Sequence, residues 1–265
     1  MLRSFRRPSH KRSPVKDRPL RNPGQSLDEA IERLLDEDAA AIYFTAMYCL
    51  VFVAYEWWRW YAKVFPHPIA VSFCCGLFSA YCFFRLTRLR AQIKTLKIAR
   101  DGEKAVGQYL ERLRADGYQV FHNVVGQNFN IDHVIIGVNG IFTIETKTYS
   151  KPIQGKAHIH FDGDSITANG YKIDRNPVVQ SRAQAGWLGT QIQESTGRRY
   201  QVQPVVVFPG WFITSRTDAA RRSGVWVLNP KGLSKFIDNA PQRLAPEEVR
   251  LVSYHLSRYI RTHEA

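Results

Sequence analysis

The chain has 265 residues and 45% apolar side chains, enough to build a packed core, which excludes a wholly disordered protein. Its net charge of +14 invites a nucleic-acid partner, but residues 1–100 hold 17 Lys/Arg against 8 Asp/Glu and residues 101–265 hold 20 against 15. Most of the excess therefore lies outside the C-terminal part, and overall charge says little about what that part binds. Cys49, Cys74, Cys75 and Cys82 all sit in apolar runs, with neither zinc spacing nor a disulfide framework, and read as small apolar fillers.

In chain order, residues 1–26 are rich in Arg, Lys, Pro and Ser and read as a disordered tail. No apolar core follows at signal-peptide distance. A short amphipathic helix is expected next, "LDEAIERLLDEDA", with Ser26 as its cap and Glu29 at the capping-box position. Together these make a first region, 1–38.

Two apolar runs define the second region, 39–84. Ala39–Tyr55 has no charge and leads into "EWWRWY", an aromatic cluster of interfacial type; Ile69–Phe84 follows "FPHP". Both are apolar all round rather than striped, which predicts a transmembrane helical hairpin instead of a buried soluble one. The basic juxtamembrane helix expected over 85–100, "RLTRLRAQIKTLKIAR", carries six Lys/Arg and no acid, whereas the loop between the runs holds only Arg59 and Lys63. The positive-inside rule then puts both termini and the C-terminal domain in the cytoplasm, at the cytoplasmic membrane of a bacterium, where the basic segments can hold anionic lipid.

From Asp101 to the C-terminus the pattern is that of a mixed α/β domain. "DGEKAVGQYLERLRADG" reads as a helix with Ala105, Val106, Tyr109, Leu110 and Leu113 on one face. "YQVFHNVV", "IDHVIIG" and "IFTIETK" read as strands, the last two joined at Asn139-Gly140, a strong hairpin signal. "KAHIHFDGDSITANGYK" suggests a further hairpin. "NPVVQSRAQAGWLGTQIQES" reads as a helix with Pro177 in its first turn and Asn176 as its cap. "QVQPVVVFPG" and "GVWVLN" are strands, and two helices close the chain.

A two-residue Asn139-Gly140 loop would place Asp132 opposite Lys147 and Val134 opposite Glu145. Directly opposed residues share a face, and strand period 2 keeps Glu145 and Lys147 on it. Three charged groups thus converge at one end of an otherwise apolar hairpin; a three-residue loop would reverse the parity and separate them. Such groups are costly to bury unless paired or bound to a metal. Asp132 and Glu145 can share a hard divalent cation, Mg2+ or Mn2+, with phosphate oxygens completing the shell. Lys147 can orient water or stabilise a phosphoryl transition state. A structural ion pair of Lys147 with either acid meets the same spacing.

Asp132 followed by Glu145-Thr146-Lys147 resembles the D…E-x-K core of the PD-(D/E)xK phosphodiesterases, and the domain more closely resembles the nuclease-related domain, NERD. The matching pieces are "GEKAVGQYLERL", "NIDHVIIGVNGIFTIETKTYSKPIQG" and "NPVVQ", covering roughly 101–185 with weaker likeness to about 215. Where the family commonly has a first acid, this chain has Asn130. The resemblance implies a restriction-endonuclease-like fold, with a mixed central sheet flanked by helices. It also implies a metal held by Asp132 and Glu145, a catalytic Lys147, and supporting roles for Glu103 on the first helix and Gln180 after Pro177. Glu103 also reads as an ordinary helix-start acid, and Gln180 as an exposed helix residue.

Two classes of function follow. One is a membrane-tethered, metal-dependent nuclease acting on nucleic acid, with DNA expected; the other is a non-catalytic membrane module that binds nucleic acid or protein through the same fold. A membrane scaffold or sensor is a third reading. His158 and His160 share a strand face but lack a third ligand at metal spacing. Lys156, Lys172, Arg175 and Arg182 are candidates for a basic rim that contacts phosphates without reading sequence.

Overall fold

The computed structural model describes residues 20–65, 67–152, 157–173, 175–215 and 217–263. The expected tail up to residue 19, and Lys156 of the basic rim, lie outside the described residues.

Helix α1, Gln25–Arg33, passes through a π-helical turn, Leu34–Ala39, into α2, Ala40–Tyr61. The expected stop near residue 38 is absent, because nothing in "LLDEDAAA" breaks a helix. Ser26 lies inside the first turn, and the residue at the cap is Gly24. Where α2 ends, Glu56 and Arg59 pair at 2.9 Å, and Glu56 also accepts from the His67 backbone N–H at 3.2 Å, so the turn between the helices neutralises its own charges.

Helix α3, Pro68–Leu110, runs 43 residues without a break. It takes in the second apolar run, the basic segment and the first helix of the domain. Residues 77–101 contain neither Gly nor Pro, so the helix crosses the changes in composition at 85 and 101 unhindered. α2 and α3 leave most of their large apolar side chains exposed, Phe44, Leu50, Phe73 and Phe83 among them, and each helical run is long and apolar enough to cross a membrane. Beyond those stretches, Ile31 and Ala39 bury against Leu89 and Ile93 of α3.

The domain is a mixed five-stranded sheet in the order β1 (Gln119–Val125), β2 (Asn130–Gly137), β3 (Gly140–Thr146), β7 (Val202–Val207), β9 (Trp226–Leu228). The first three strands are antiparallel, and β7 and β9 run parallel to β3. The lower half of α3 and α6 (Pro230–Asp238) cover one face, through Val106, Leu110, Ile135, Phe142, Ile144 and Leu233. On the other face, α4 (Pro177–Thr196) and α7 (Pro246–Thr262) pack through Val134, Ile136, Ile141, Leu188 and Val252. A smaller four-stranded sheet adds β4 (His158–Phe161), β5 (Ile166–Ala168), β6 (Tyr171–Lys172) and β8 (Phe212–Ser215). A short helix, α5, spans Thr217–Ser223. This is the expected α/β class, a mixed sheet flanked by helices.

One detail of the hairpin differs from expectation. Gly137 pairs with Gly140 and His133 with Ile144, so the loop is Val138-Asn139. A type I′ loop at Asn139-Gly140 needs positive φ at both residues, whereas only Gly140 has it, at 134°. Asn139 is occupied otherwise: its side chain accepts from the Tyr118 hydroxyl at 2.7 Å and donates to the Ala240 carbonyl at 2.7 Å. The shift preserves parity, and continuing the pairing by one step sets Asp132 opposite Glu145 rather than Lys147.

Candidate active site

The C-terminal end of β3 carries the site. Alternation sends Ile141, Thr143 and Glu145 to the α4 face, and Phe142 and Ile144 to the α3 face. Glu145 is only 3% exposed. Such a carboxylate needs donors for both oxygens, and both are supplied. Lys147 Nζ donates to Oε1 at 2.6 Å and Gln184 Nε2 donates to Oε2 at 2.6 Å. Lys147 Nζ also donates to Gln180 Oε1 at 3.0 Å, and the Lys147 backbone N–H bonds the Val207 carbonyl at 2.9 Å, which holds the residue against β7.

Asp132 enters from β2. Its Oδ2 accepts from the Thr146 backbone N–H at 2.7 Å, a bond made possible by the shifted register. Glu103 enters from α3, where it is buried. The helix comes this close to the end of β3 because position 102 is glycine; a Cβ there would fall 1.7 Å from Thr148 Oγ1.

The electrostatics tie these groups together. Burial first, then the Glu145 and Glu103 carboxylates, push Asp132 well above the usual carboxylate range, against the opposing pull of the Thr146 N–H and Lys147. Burial and the Glu145 charge raise Glu103 to about 7, while Lys147 and the backbone N–H of Gly24 pull the other way. Burial disfavours the Lys147 ammonium, but Glu145 and Asp132 outweigh it and hold its pKa above the usual lysine value. Like charges crowded in a poorly solvated place are characteristic of functional sites.

The structure thus brings together Asp132, Glu145, Lys147 and Gln180 through direct bonds or register, with Glu103 in their field. Gln184, 2% exposed, is the residue the sequence reading missed. It lies four residues after Gln180, hence on the same helix face, and that spacing was the available signal. It also donates to the Asn130 carbonyl at 3.1 Å, so Asn130 contributes its backbone where an acid was expected. Asn176 caps α4 as expected, accepting from the Val178 N–H at 3.0 Å. His158 and His160 lie on β4 with solvent access. Lys172 and Arg175 are exposed, and Arg182 donates to the Ser223 carbonyl at 2.8 Å. Another buried polar pair, His122 and His133, meets at 2.8 Å on the opposite face of the hairpin, and His122 leans on Glu111 at 2.7 Å. Burial lowers both imidazole pKa values, and the pair belongs to the packing under α3.

Among the described residues, no three His, Cys, Asp or Glu side chains group closely enough to cage a metal ion. The donor set is that of an open site, with hard carboxylate oxygens at Asp132 and Glu145 and a third acid, Glu103, in their field. The mutual repulsion of these acids is what a divalent cation would relieve, and Mg2+ characteristically binds through one or two carboxylates plus water and phosphate. The residues present fit such an ion.

Comparison with known proteins agrees with the motifs. An uncharacterized protein of Bacillus anthracis, pXO1-01, is 41% identical over 59 residues, 20% of this chain and 28% of that protein; the chain spans under a third of the length of this relative. The solved structure of Pyrococcus furiosus SfsA in complex with Ca2+ is similar over 53% of this chain and 55% of its own, at 15% identity and a TM-score of 0.24, too low to carry an argument. The family model of the nuclease-related domain matches residues 98–209, a span that contains Glu103, Asp132, Glu145, Lys147, Gln180 and Gln184. Over residues 98–209 this chain is thus similar to the nuclease-related domain.

Proposed function

We propose that the protein is a membrane-tethered nuclease that hydrolyses nucleic-acid phosphodiesters, with DNA as substrate, in the presence of Mg2+ or Mn2+. The observation that carries this reading is the connected set at the end of β3. Glu145 is buried and held from both sides, Lys147 bridges it to Gln180, and Asp132 stands opposite. A purely structural ion pair would need Gln184 to satisfy the second Glu145 oxygen, but neither a second carboxylate opposite it nor Gln180 on its lysine.

Asp132 and Glu145 would hold the cation, which supplies charge neutralisation and water activation. The chain's own contributions follow from its bonds. Gln184 fixes the plane of the Glu145 carboxylate. An ammonium has three donors, and Lys147 spends two on Glu145 and Gln180; the third is offered to the attacking water or a phosphate oxygen, where charge develops. Glu103, titrating near neutrality, can exchange a proton with a water at the rim of the site.

The apolar helices would anchor this domain in the cytoplasmic membrane of a bacterium, with the domain and both termini inside. The six Lys/Arg of residues 85–100 support that orientation and give anionic lipid a place to bind.

The test is nicking of supercoiled plasmid by the full chain in detergent with Mg2+ or Mn2+. Lys147→Ala is expected to lower the rate about 100- to 1,000-fold, as loss of a charge-stabilising donor does elsewhere, and Glu145→Ala to abolish both nicking and metal binding. Equal activity in wild type and variants, or a wild type that binds metal and nucleic acid without cutting, would replace this reading with that of a non-catalytic binding module.

A further inference from the structure

The chain that precedes the first apolar helix lies across the nuclease-related domain beside its acids. Leu20 packs against the core under α4 and α7. Pro23 seats on α3 at Gly107, where a Cβ would come 2.6 Å from the proline ring, so only glycine admits the contact. Arg21, with its side chain 9% exposed, grips both oxygens of Glu29 at 2.8 Å.

Arg21 and Ser26 then converge on Asn123, a residue 1% exposed that holds φ 50° in the middle of β1. With the amide oriented by these partners, Asn123 Oδ1 accepts from Arg21 Nε at 2.9 Å and from the Ser26 N–H at 2.9 Å, and its Nδ2 donates to Ser26 Oγ at 3.0 Å. Asn123 lies between the pairs His122–His133 and Val124–Ile131, that is, opposite Asp132. At the other end, Asp28 accepts from Arg100 at 3.2 Å and from Lys104 at 2.7 Å, residues that flank Glu103 in sequence. The segment therefore touches the supports of two site acids, Asp132 through Asn123 and Glu103 through its helix turn.

We propose that Leu20–Asp28 is a strap that completes the active site. Docked, it fixes the α3 turn bearing Glu103 and the β1 residue facing Asp132, with Arg21 and Asp28 as positioning residues. The catalytic consequence rests on the nuclease reading above; the docking does not. A fragment beginning at residue 101 lacks the strap, so the full chain is the object to assay.

The experiment pairs amide hydrogen exchange with plasmid nicking on the full chain in detergent, wild type against an Arg21→Ala/Asp28→Ala double variant. In the wild type, 20–28 and 119–125 are expected to exchange slowly. In the variant, protection of both segments falls about tenfold or more while β7 is unchanged, and kcat falls about tenfold with KM within roughly twofold. Should β7 also lose protection, the milder Asp28→Ala variant, which removes only the part-exposed ion pairs with Arg100 and Lys104, replaces the double variant. Asp28→Glu should restore both readouts. An unprotected strap in the wild type, or its release without effect on 119–125 and on nicking, overturns the proposal. If no protein nicks plasmid, the nuclease reading falls, and the strap stands or falls on whether its release deprotects 119–125.

Discussion

At the scale of single residues, Glu145 and Glu103 show two ways of keeping a carboxyl out of water. Glu145 has a donor on each oxygen, so its burial depends on Gln184 as much as on Lys147. Gln184→Leu keeps the volume but strips one oxygen of its donor. It should cost about 1–3 kcal/mol in denaturant unfolding of the full chain, eased somewhat because Gln184 Oε1 is itself buried without a partner. Gln184→Glu, which sets acid against acid, should cost more. Glu103 is handled differently. Burial and a neighbouring charge raise its pKa from 4.5 to about 7, so the folded state retains a proton that the unfolded state has released. In metal-free buffer its contribution to stability is therefore complete below pH ~4.5 and falls as pH rises to about 7, by up to about 3 kcal/mol. Glu103→Gln should flatten that slope, leaving what the raised Asp132 carboxyl contributes, and melt higher than wild type at pH 7.5; an unchanged slope would place the neutral proton elsewhere. Hairpin pairing together with strand alternation made Asp132, Glu145 and Lys147 legible in the sequence. Glu103 and Gln180 needed the family resemblance, since an acid in a first turn and a glutamine on a helix carry no chemistry by themselves. Gln184 offers no signal but its spacing of four from Gln180, and its bond to Glu145 appears once its helix is laid against β3.

At the scale of elements, the sequence located most strands and helices of the domain, missed β8 and α5, and misplaced two junctions, each for a physical reason. Asn139-Gly140 has the composition of a type I′ loop, yet Asn139 is held by Tyr118 and Ala240, long-range partners that no local pattern encodes. The turn moves back one residue and Asp132 moves opposite Glu145. Asn139→Ala should then cost about 1–2 kcal/mol, because it frees the Tyr118 hydroxyl and the Ala240 carbonyl together; a cost near zero would mean that Gly140 sets the register unaided. The other junction is α3. Read by composition, it is an apolar span, a basic juxtamembrane helix and an amphipathic first helix, three separate elements. Read by backbone, it is one rod, since composition alters what surrounds a helix without interrupting its hydrogen bonds. Glu103 therefore rides on the same rigid element as the second apolar run.

At the scale of the whole molecule, that rod and the strap constrain each other. Glu103 lies nineteen positions beyond Phe84, which at 1.5 Å per residue sets the acid roughly 28 Å beyond the end of the apolar run. The strap belongs to chain before the first apolar helix and docks on chain after the second. Both must lie on the same side of any membrane the helices cross, and only an even number of crossings allows that. Charge asymmetry speaks for the side and this contact for an even number of crossings, and the proposed two-pass arrangement meets both. The arrangement can be read by thiol labelling. With Cys49, Cys74, Cys75 and Cys82 replaced by serine, Lys63→Cys reports on the turn between the helices and Tyr171→Cys, at a site 81% exposed, reports on the domain. In intact cells a membrane-impermeant maleimide should label position 63 and leave position 171 untouched until the membrane is opened. Labelling of 171 alone would invert the topology and put the basic segment outside, against the positive-inside rule. Labelling of both in cells that remain sealed would show that the helices do not cross the membrane, and their exposed apolar side chains would then need a protein partner to cover them.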